Sequence, residues 1–104
     1  MFEALKKLFS VQKTDYAQLL SQGAIIVDVR TSAEFSSGHI RGSVNIPLHK
    51  LNDHLNKLKS KSTPIITCCA SGARSASALS FLRSKGYSQV YNGGSWMRLR
   101  NKIS

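Results

Sequence analysis

Two short apolar runs, Ala24-Ile25-Ile26-Val27-Asp28-Val29 and Pro64-Ile65-Ile66-Thr67-Cys68, constrain the fold of this chain more than anything else in it. Neither alternates between apolar and polar residues. A strand with one wet face must alternate, so unbroken runs of this length predict strands covered on both sides, as in a parallel sheet. Parallel neighbours need crossover connections, and the segments between the runs read as helices. Thr14-Asp15 can cap a helix that runs through Leu20 and stops at Gly23. Ser32 to Ser37 reads as one helical turn closed by Gly38. Leu51, Leu55 and Leu58 mark a further helix, and Ser75 to Lys85 a longer one stopped at Gly86. Val44-Asn45-Ile46, ended by Pro47, and Gln89-Val90-Tyr91, before Asn92-Gly93-Gly94, read as short strands. Strands alternating with helices at this spacing predict an α/β layer fold with a mainly parallel sheet.

The 104 residues, 41% of them hydrophobic, suffice for one core, and a single domain over 1–104 is expected. Within it, 1–12 reads as an amphipathic helix and edge segment and 13–104 as the core. Phe2, Leu5, Leu8 and Phe9 form a stripe opposite Glu3, Lys6 and Lys7, better suited to docking on the domain than on lipid, because so short a helix binds lipid weakly. Fifteen Lys and Arg against five Asp and Glu give a formal charge of +10, which favours anionic partners. The basic residues are scattered from Lys6 to Lys102 with only Lys6-Lys7 adjacent, which argues against nucleic-acid binding. No segment approaches the ~20 apolar residues of a membrane span, and the first ten residues lack the pattern of a secretory signal. A cytoplasmic protein without membrane contact is expected. The two cysteines, Cys68 and Cys69, are neighbours, and adjacent residues form a disulfide only through a distorted peptide, which also favours a reducing compartment. Cys68, Cys69, His39, His49 and His54 lack metal-ligand spacing, so neither metal nor cofactor is expected.

The chemistry concentrates where the second apolar run ends. Ligands of open parallel sheets bind beyond the carboxyl ends of the strands, and Cys69 lies there, followed by Ala70-Ser71-Gly72-Ala73-Arg74 and a helix from about Ser75. The unpaired N–H groups of that helix start point back at the loop. Gly72 lets the backbone curl, and the small Ala70, Ser71 and Ala73 leave N–H groups uncovered. A thiol over such an anion cradle is favoured as thiolate, the nucleophilic form. Burial as a small hydrophobe, the commonest fate of a free cysteine, fits Cys68, which strand alternation turns to the opposite face. Arg74 can bind a substrate anion or pair with Asp28 at the neighbouring strand end, and sequence leaves both open.

The segments Asp28-Val29-Arg30, Glu34-Phe35, Gly38-His39-Ile40-Arg41-Gly42-Ser43, Asn45-Ile46-Pro47 and Cys69-Ala70-Ser71-Gly72-Ala73-Arg74-Ser75, in this order, resemble the motifs of rhodanese (thiosulfate sulfurtransferase) domains from about Thr14 to Trp96. The resemblance implies a rhodanese-like three-layer fold, a central mainly parallel sheet of about five strands with helices on both faces. It also implies double displacement. Cys69, as catalytic nucleophile, takes the outer sulfur of a small anionic donor such as thiosulfate, and the persulfide passes it to cyanide or a thiol, either a small thiol or a thioredoxin-like protein. The same resemblance makes Ala70, Ser71, Gly72, Ala73, Arg74 and Ser75 the substrate-binding cradle. The remaining motifs read as architectural: Arg30 and Glu34, four apart, as a helix-type ion pair, and His39 as a hydrogen-bonded turn residue rather than a general base.

Two other functions compete. A cysteine phosphatase or arsenate reductase uses the same strand-loop-helix device, but its relatives with a rhodanese-like fold place five residues between Cys and Arg, and here there are four. The smaller ring of amides suits one persulfide sulfur better than a phosphate tetrahedron. A noncatalytic interaction module on the same fold is the second competitor, against which the intact Cys69 and Gly72 argue.

Overall fold

The computed structural model describes residues 13–104. The amphipathic stripe from Phe2 to Phe9 lies outside the described residues. Helix α1 (Tyr16–Ser21) starts where the Asp15 carboxylate accepts the Gln18 N–H at 3.0 Å. Strand β1 (Ile25–Asp28) leads to α2 (Ser32–Ser37), whose start is a reciprocal capping box between Thr31 and Glu34. Strand β2 (Val44–Asn45) precedes a 3-10 segment, Leu48–Lys57, kinked at His54. Strand β3 (Ile65–Cys69), helix α3 (Ala73–Ser84), strand β4 (Val90–Ser95) and helix α4 (Trp96–Ile103) complete the chain.

The four strands form one sheet in the order β2-β1-β3-β4, parallel throughout. Both faces are covered, as the unbroken apolar runs require. On one face Val27, Ile65, Ala78, Leu82 and Leu51 pack with the 3-10 segment and α3. On the other, Ile26, Ile66, Cys68 and Leu99 pack with α1 and α4. The result is the three-layer α/β architecture expected, with four strands among the described residues in place of about five.

Three elements differ from expectation. Helix α3 begins at Ala73, two residues before Ser75, because Gly72 turns the chain with φ 109°, a left-handed value that strains any residue with a Cβ. The segment around Leu51 is 3-10 rather than α. Strand β4 runs on through Asn92-Gly93-Gly94, before which the strand was expected to end. Gly93 belongs to the strand because its backbone lies against the core: an added Cβ there would stand 2.8 Å from Leu99 Cδ2 and 2.9 Å from both Ile66 Cγ2 and the Thr67 carbonyl. The pairing with β3 slips between Thr67 and Cys69, so that Cys69 faces Ser95.

Candidate active site

Cys69 ends β3 at the carboxyl edge of the sheet, and its side chain is only 1% exposed. The turn at Gly72 brings backbone donors onto the sulfur. The Gly72 N–H donates to Sγ at 3.0 Å and the Ser75 N–H at 3.4 Å, while the Ser75 hydroxyl lies 3.5 Å away. Desolvation pushes the thiol pKa up, but the Ser75 hydroxyl and the Ser75, Gly72 and Ser71 amides together outweigh it, and the thiol titrates below its ordinary range. This is the electrostatics of a thiolate site: the donors are preorganised for negative charge on one atom.

Of the loop residues expected in the cradle, Gly72 and Ser75 bond to the sulfur directly and Ser71 adds its amide. Ala70 and Ser71 line a hollow of about 500 Å³ together with Tyr16, Asn92, Arg98 and Lys102. Ala73 opens α3. Arg74 is turned elsewhere. Its guanidinium makes a two-pronged ion pair with Glu34, at 2.7 Å to Oε1 and 2.9 Å to Oε2, and the Glu34 carboxyl is held at about 2, first by Arg74 and then by Thr31. Arg74 also borders a second, mostly apolar hollow of about 380 Å³ with Val29, Pro47 and Leu48.

This geometry corrects one expected ion pair and removes one of the two alternatives left open for Arg74. Arg74 does not pair with Asp28, and Arg30 does not form its side-chain ion pair with Glu34. Arg30 instead folds back on Asp28, two residues earlier on the same side of an extended backbone, with Nε at 2.9 Å from Oδ1 and Nη2 at 2.7 Å from Oδ2. The remaining Arg30 donors reach the Gly38 carbonyl at 2.7 Å and the Glu34 carbonyl at 3.3 Å. Its guanidinium stacks 4.6 Å from the Trp96 ring centre, so it ties β1, the end of α2 and the start of α4 together. His39 is a turn residue: Nδ1 donates to the Phe35 carbonyl at 2.7 Å and the ring stacks on Phe35 at 3.7 Å.

Cys68, on the opposite face, is fully buried beside Ile26, Ile66 and Leu99. Burial, with the negative charge of Asp28 adding to it, pushes that thiol up to about 12. It is inert as a nucleophile at neutral pH.

Sequence reasoning missed Asn92 and α4. The Asn92 carboxamide oxygen accepts from the Ser75 hydroxyl at 2.6 Å and the Gly94 N–H at 2.9 Å, and its amide donates to the Gly72 carbonyl at 3.3 Å. The available signal was topological. Asn92 sits near the carboxyl end of β4, beside the carboxyl end of β3, and side chains there reach the same site. For α4 the signal was Ser95, whose hydroxyl caps the Arg98 N–H at 3.5 Å.

Residues 12–97 match the rhodanese-like domain. The chain is 37% identical over 75 residues to the thiosulfate sulfurtransferase GlpE of Ectopseudomonas mendocina, covering 72% of this chain and 68% of that protein. Human single-domain sulfurtransferase TSTD1 superposes with a TM-score of 0.73 at 28% identity, over 86% of this chain and 92% of that one. A rhodanese with anions from E. coli superposes with a TM-score of 0.69 at 26% identity, over 73% of this chain and 91% of that one. A cysteine cradled by amides at the carboxyl edge of a parallel sheet and a match over most of the sequence lead to one conclusion: the chain belongs to the rhodanese-like family and is an enzyme of its sulfurtransferase type.

Proposed function

We propose that this protein transfers the outer sulfur of a small anionic donor such as thiosulfate to a thiol or cyanide through a persulfide on Cys69. The Cys69 thiolate attacks the outer sulfur, forming a new S–S bond, while the S–S bond of thiosulfate breaks and sulfite leaves with the electron pair. An acceptor thiolate or cyanide then attacks the outer sulfur of the persulfide, and the Cys69 thiolate leaves. The observation that carries this reading is the convergence of two backbone donors on one atom, the Gly72 N–H at 3.0 Å and the Ser75 N–H at 3.4 Å from Sγ, with the Ser75 hydroxyl 3.5 Å away. They favour negative charge on sulfur both before attack and after release. The formal charge of +10 adds a general attraction for an anionic donor.

Arg74 supports sulfur over phosphoryl transfer. A phosphate would need its guanidinium, which is engaged by Glu34 at 2.7 and 2.9 Å. The test is mass measurement after mixing with thiosulfate: a gain of about 32 mass units on the Cys69 peptide, absent in Cys69→Ser, is expected. Label on Cys68, or aryl-phosphate hydrolysis faster than sulfur transfer to cyanide, overturns the proposal.

A further inference from the structure

Ser75 is the donor nearest the sulfur that has a choice of partner. Its hydroxyl carries one proton, and its oxygen lies 2.6 Å from Asn92 Oδ1, 3.0 Å from the Gly72 carbonyl and 3.5 Å from Cys69 Sγ. The orientation of the Asn92 carboxamide is fixed from both ends. The Gly94 N–H donates to Oδ1 at 2.9 Å, and Nδ2 donates to the Gly72 carbonyl at 3.3 Å. A flipped amide would set donor against donor at Gly94 and acceptor against acceptor at Gly72. The backbone of Asn92 is anchored as well, since the Tyr16 hydroxyl donates to its carbonyl at 3.0 Å. An oxygen held this rigidly at 2.6 Å takes the serine proton, which leaves a serine lone pair facing the sulfur. That arrangement suits a protonated thiol, with S–H donating to Ser75 Oγ. An anionic sulfur needs the opposite: the hydroxyl proton must swing from Asn92 to sulfur.

We propose that Asn92 is a positioning residue for the sulfur chemistry, holding the Ser75 hydroxyl away from a neutral Cys69 and yielding it when the sulfur becomes a thiolate or persulfide anion. The inference rests on Cys69 as the nucleophile. One covalent bond changes in the step, the Cys69 S–H bond, which breaks and leaves its electron pair on sulfur. The thiol proton leaves for solvent as the serine O–H rotates onto sulfur. The other titratable or charged groups around the site are Cys68 on β3, Arg74 on α3 with its partner Glu34 on α2, Tyr16 on α1, and Arg98 and Lys102 on α4. All stay in place in the variants below, except that Cys68 is replaced by Ser throughout so that one thiol is followed.

The test is the rate of Cys69 alkylation by iodoacetamide against pH. Asn92→Ala removes the competing acceptor. The alkylation midpoint falls, and alkylation below the midpoint quickens by about threefold to tenfold, the value of a shared proton turned onto an anion. Asn92→Asp grips the proton harder and adds negative charge, so the midpoint rises. Loosening of the fold alone would move both variants in one direction. In a Ser75→Ala background, Asn92→Ala leaves the midpoint unmoved. Same-sign shifts in the two variants, or a shift that persists without Ser75, overturn the proposal. A measurement on the chain with its native Asn92 guards against a misfolded variant: the side-chain amide resonances of Asn92 and the Gly94 N–H shift with the Cys69 titration. An Asn92 amide blind to that titration also overturns it. Failure of the reading beneath is separable, because a protein that takes no sulfur from thiosulfate at Cys69 can still report the Asn92 contact through the thiol titration.

Discussion

Cys68 and Cys69 are consecutive residues of one strand, and both are all but inaccessible, at 0% and 1% exposure. Strand alternation sends their side chains to opposite faces, and there the likeness ends. The Cys68 sulfur meets Ile26, Ile66 and Leu99, and its thiol rises to about 12. The Cys69 sulfur meets two amides and a hydroxyl, and its thiol falls. Surface exposure is therefore not what separates an inert cysteine from a nucleophilic one. The separation comes from whether polar groups aimed at the sulfur replace the water that burial removes.

The largest effect that could break this contrast is on turnover. Cys69→Ser is expected to lower sulfur transfer to cyanide by more than about a thousandfold, because a serine hydroxyl forms no persulfide, whereas Cys68→Ser keeps turnover near that of the unmodified protein. Comparable losses in both would erase the distinction between the faces.

Stability, in contrast, concentrates on the Cys68 side. The Asp28–Arg30 pair has side chains only 0% and 5% exposed, and Asp28→Asn leaves a buried guanidinium without its counter-charge. Urea unfolding is expected to register a loss of about 3 kcal/mol or more, with Cys69 alkylation in the folded fraction unchanged. A variant that stayed stable while its Cys69 lost reactivity would put the two faces in each other's roles.

The two thiols also bend the stability–pH curve in opposite senses. Cys68 has a folded-state pKa above its unfolded one, so its contribution is complete below the ordinary 9.0 and is lost as pH rises toward about 12. Cys69 has a folded-state pKa below its ordinary 9.0, so its contribution is present above that value and is lost as pH falls through the folded one. Denaturant titrations at a series of pH values should find alkaline destabilisation relieved by Cys68→Ser and unrelieved by Cys69→Ser.

Smallest is the expected effect of Arg74→Ala. Its partner Glu34 is an exposed carboxyl whose contribution is present above its ordinary 4.5 and is lost as pH falls through about 2. Losing Arg74 should bring the Glu34 titration, followed by carboxyl NMR, back toward the ordinary range, short of it because Thr31 still donates to the carboxylate. Turnover should change little. A collapse of turnover with folding intact would return Arg74 to the substrate.

What was legible in the sequence follows the same division. The doubly covered sheet was readable because burial on both faces leaves a compositional trace, unbroken in Ile25-Ile26-Val27 and Ile65-Ile66. The position of Cys69 was readable because strand, glycine turn and helix are local. The partner of Arg74 was not, since it depends on where α2 lies relative to α3, a distance between elements 40 residues apart in the chain. Asn92 was hidden for the same reason, in that its role exists only across the β3–β4 pairing. Gly93 misled because its missing side chain answers to close packing against Leu99 and Ile66 rather than to the end of a strand.

The order in which the strands lie has a consequence for how the enzyme is made. β3 is flanked by β1, about 40 residues earlier, and by β4, about 25 residues later, through Ile25↔Ile65↔Val90. The groups that hold the Gly72–Ser75 corner come from β4, after Cys69 in the chain. During synthesis the thiol and the Gly72 and Ser75 amides that donate to it therefore emerge together, before the β4 residue that holds the Ser75 hydroxyl. Completion of the sheet adds Asn92, the competing partner of the Ser75 hydroxyl, so the last strand tempers a thiol whose backbone donors are already in the loop beside it.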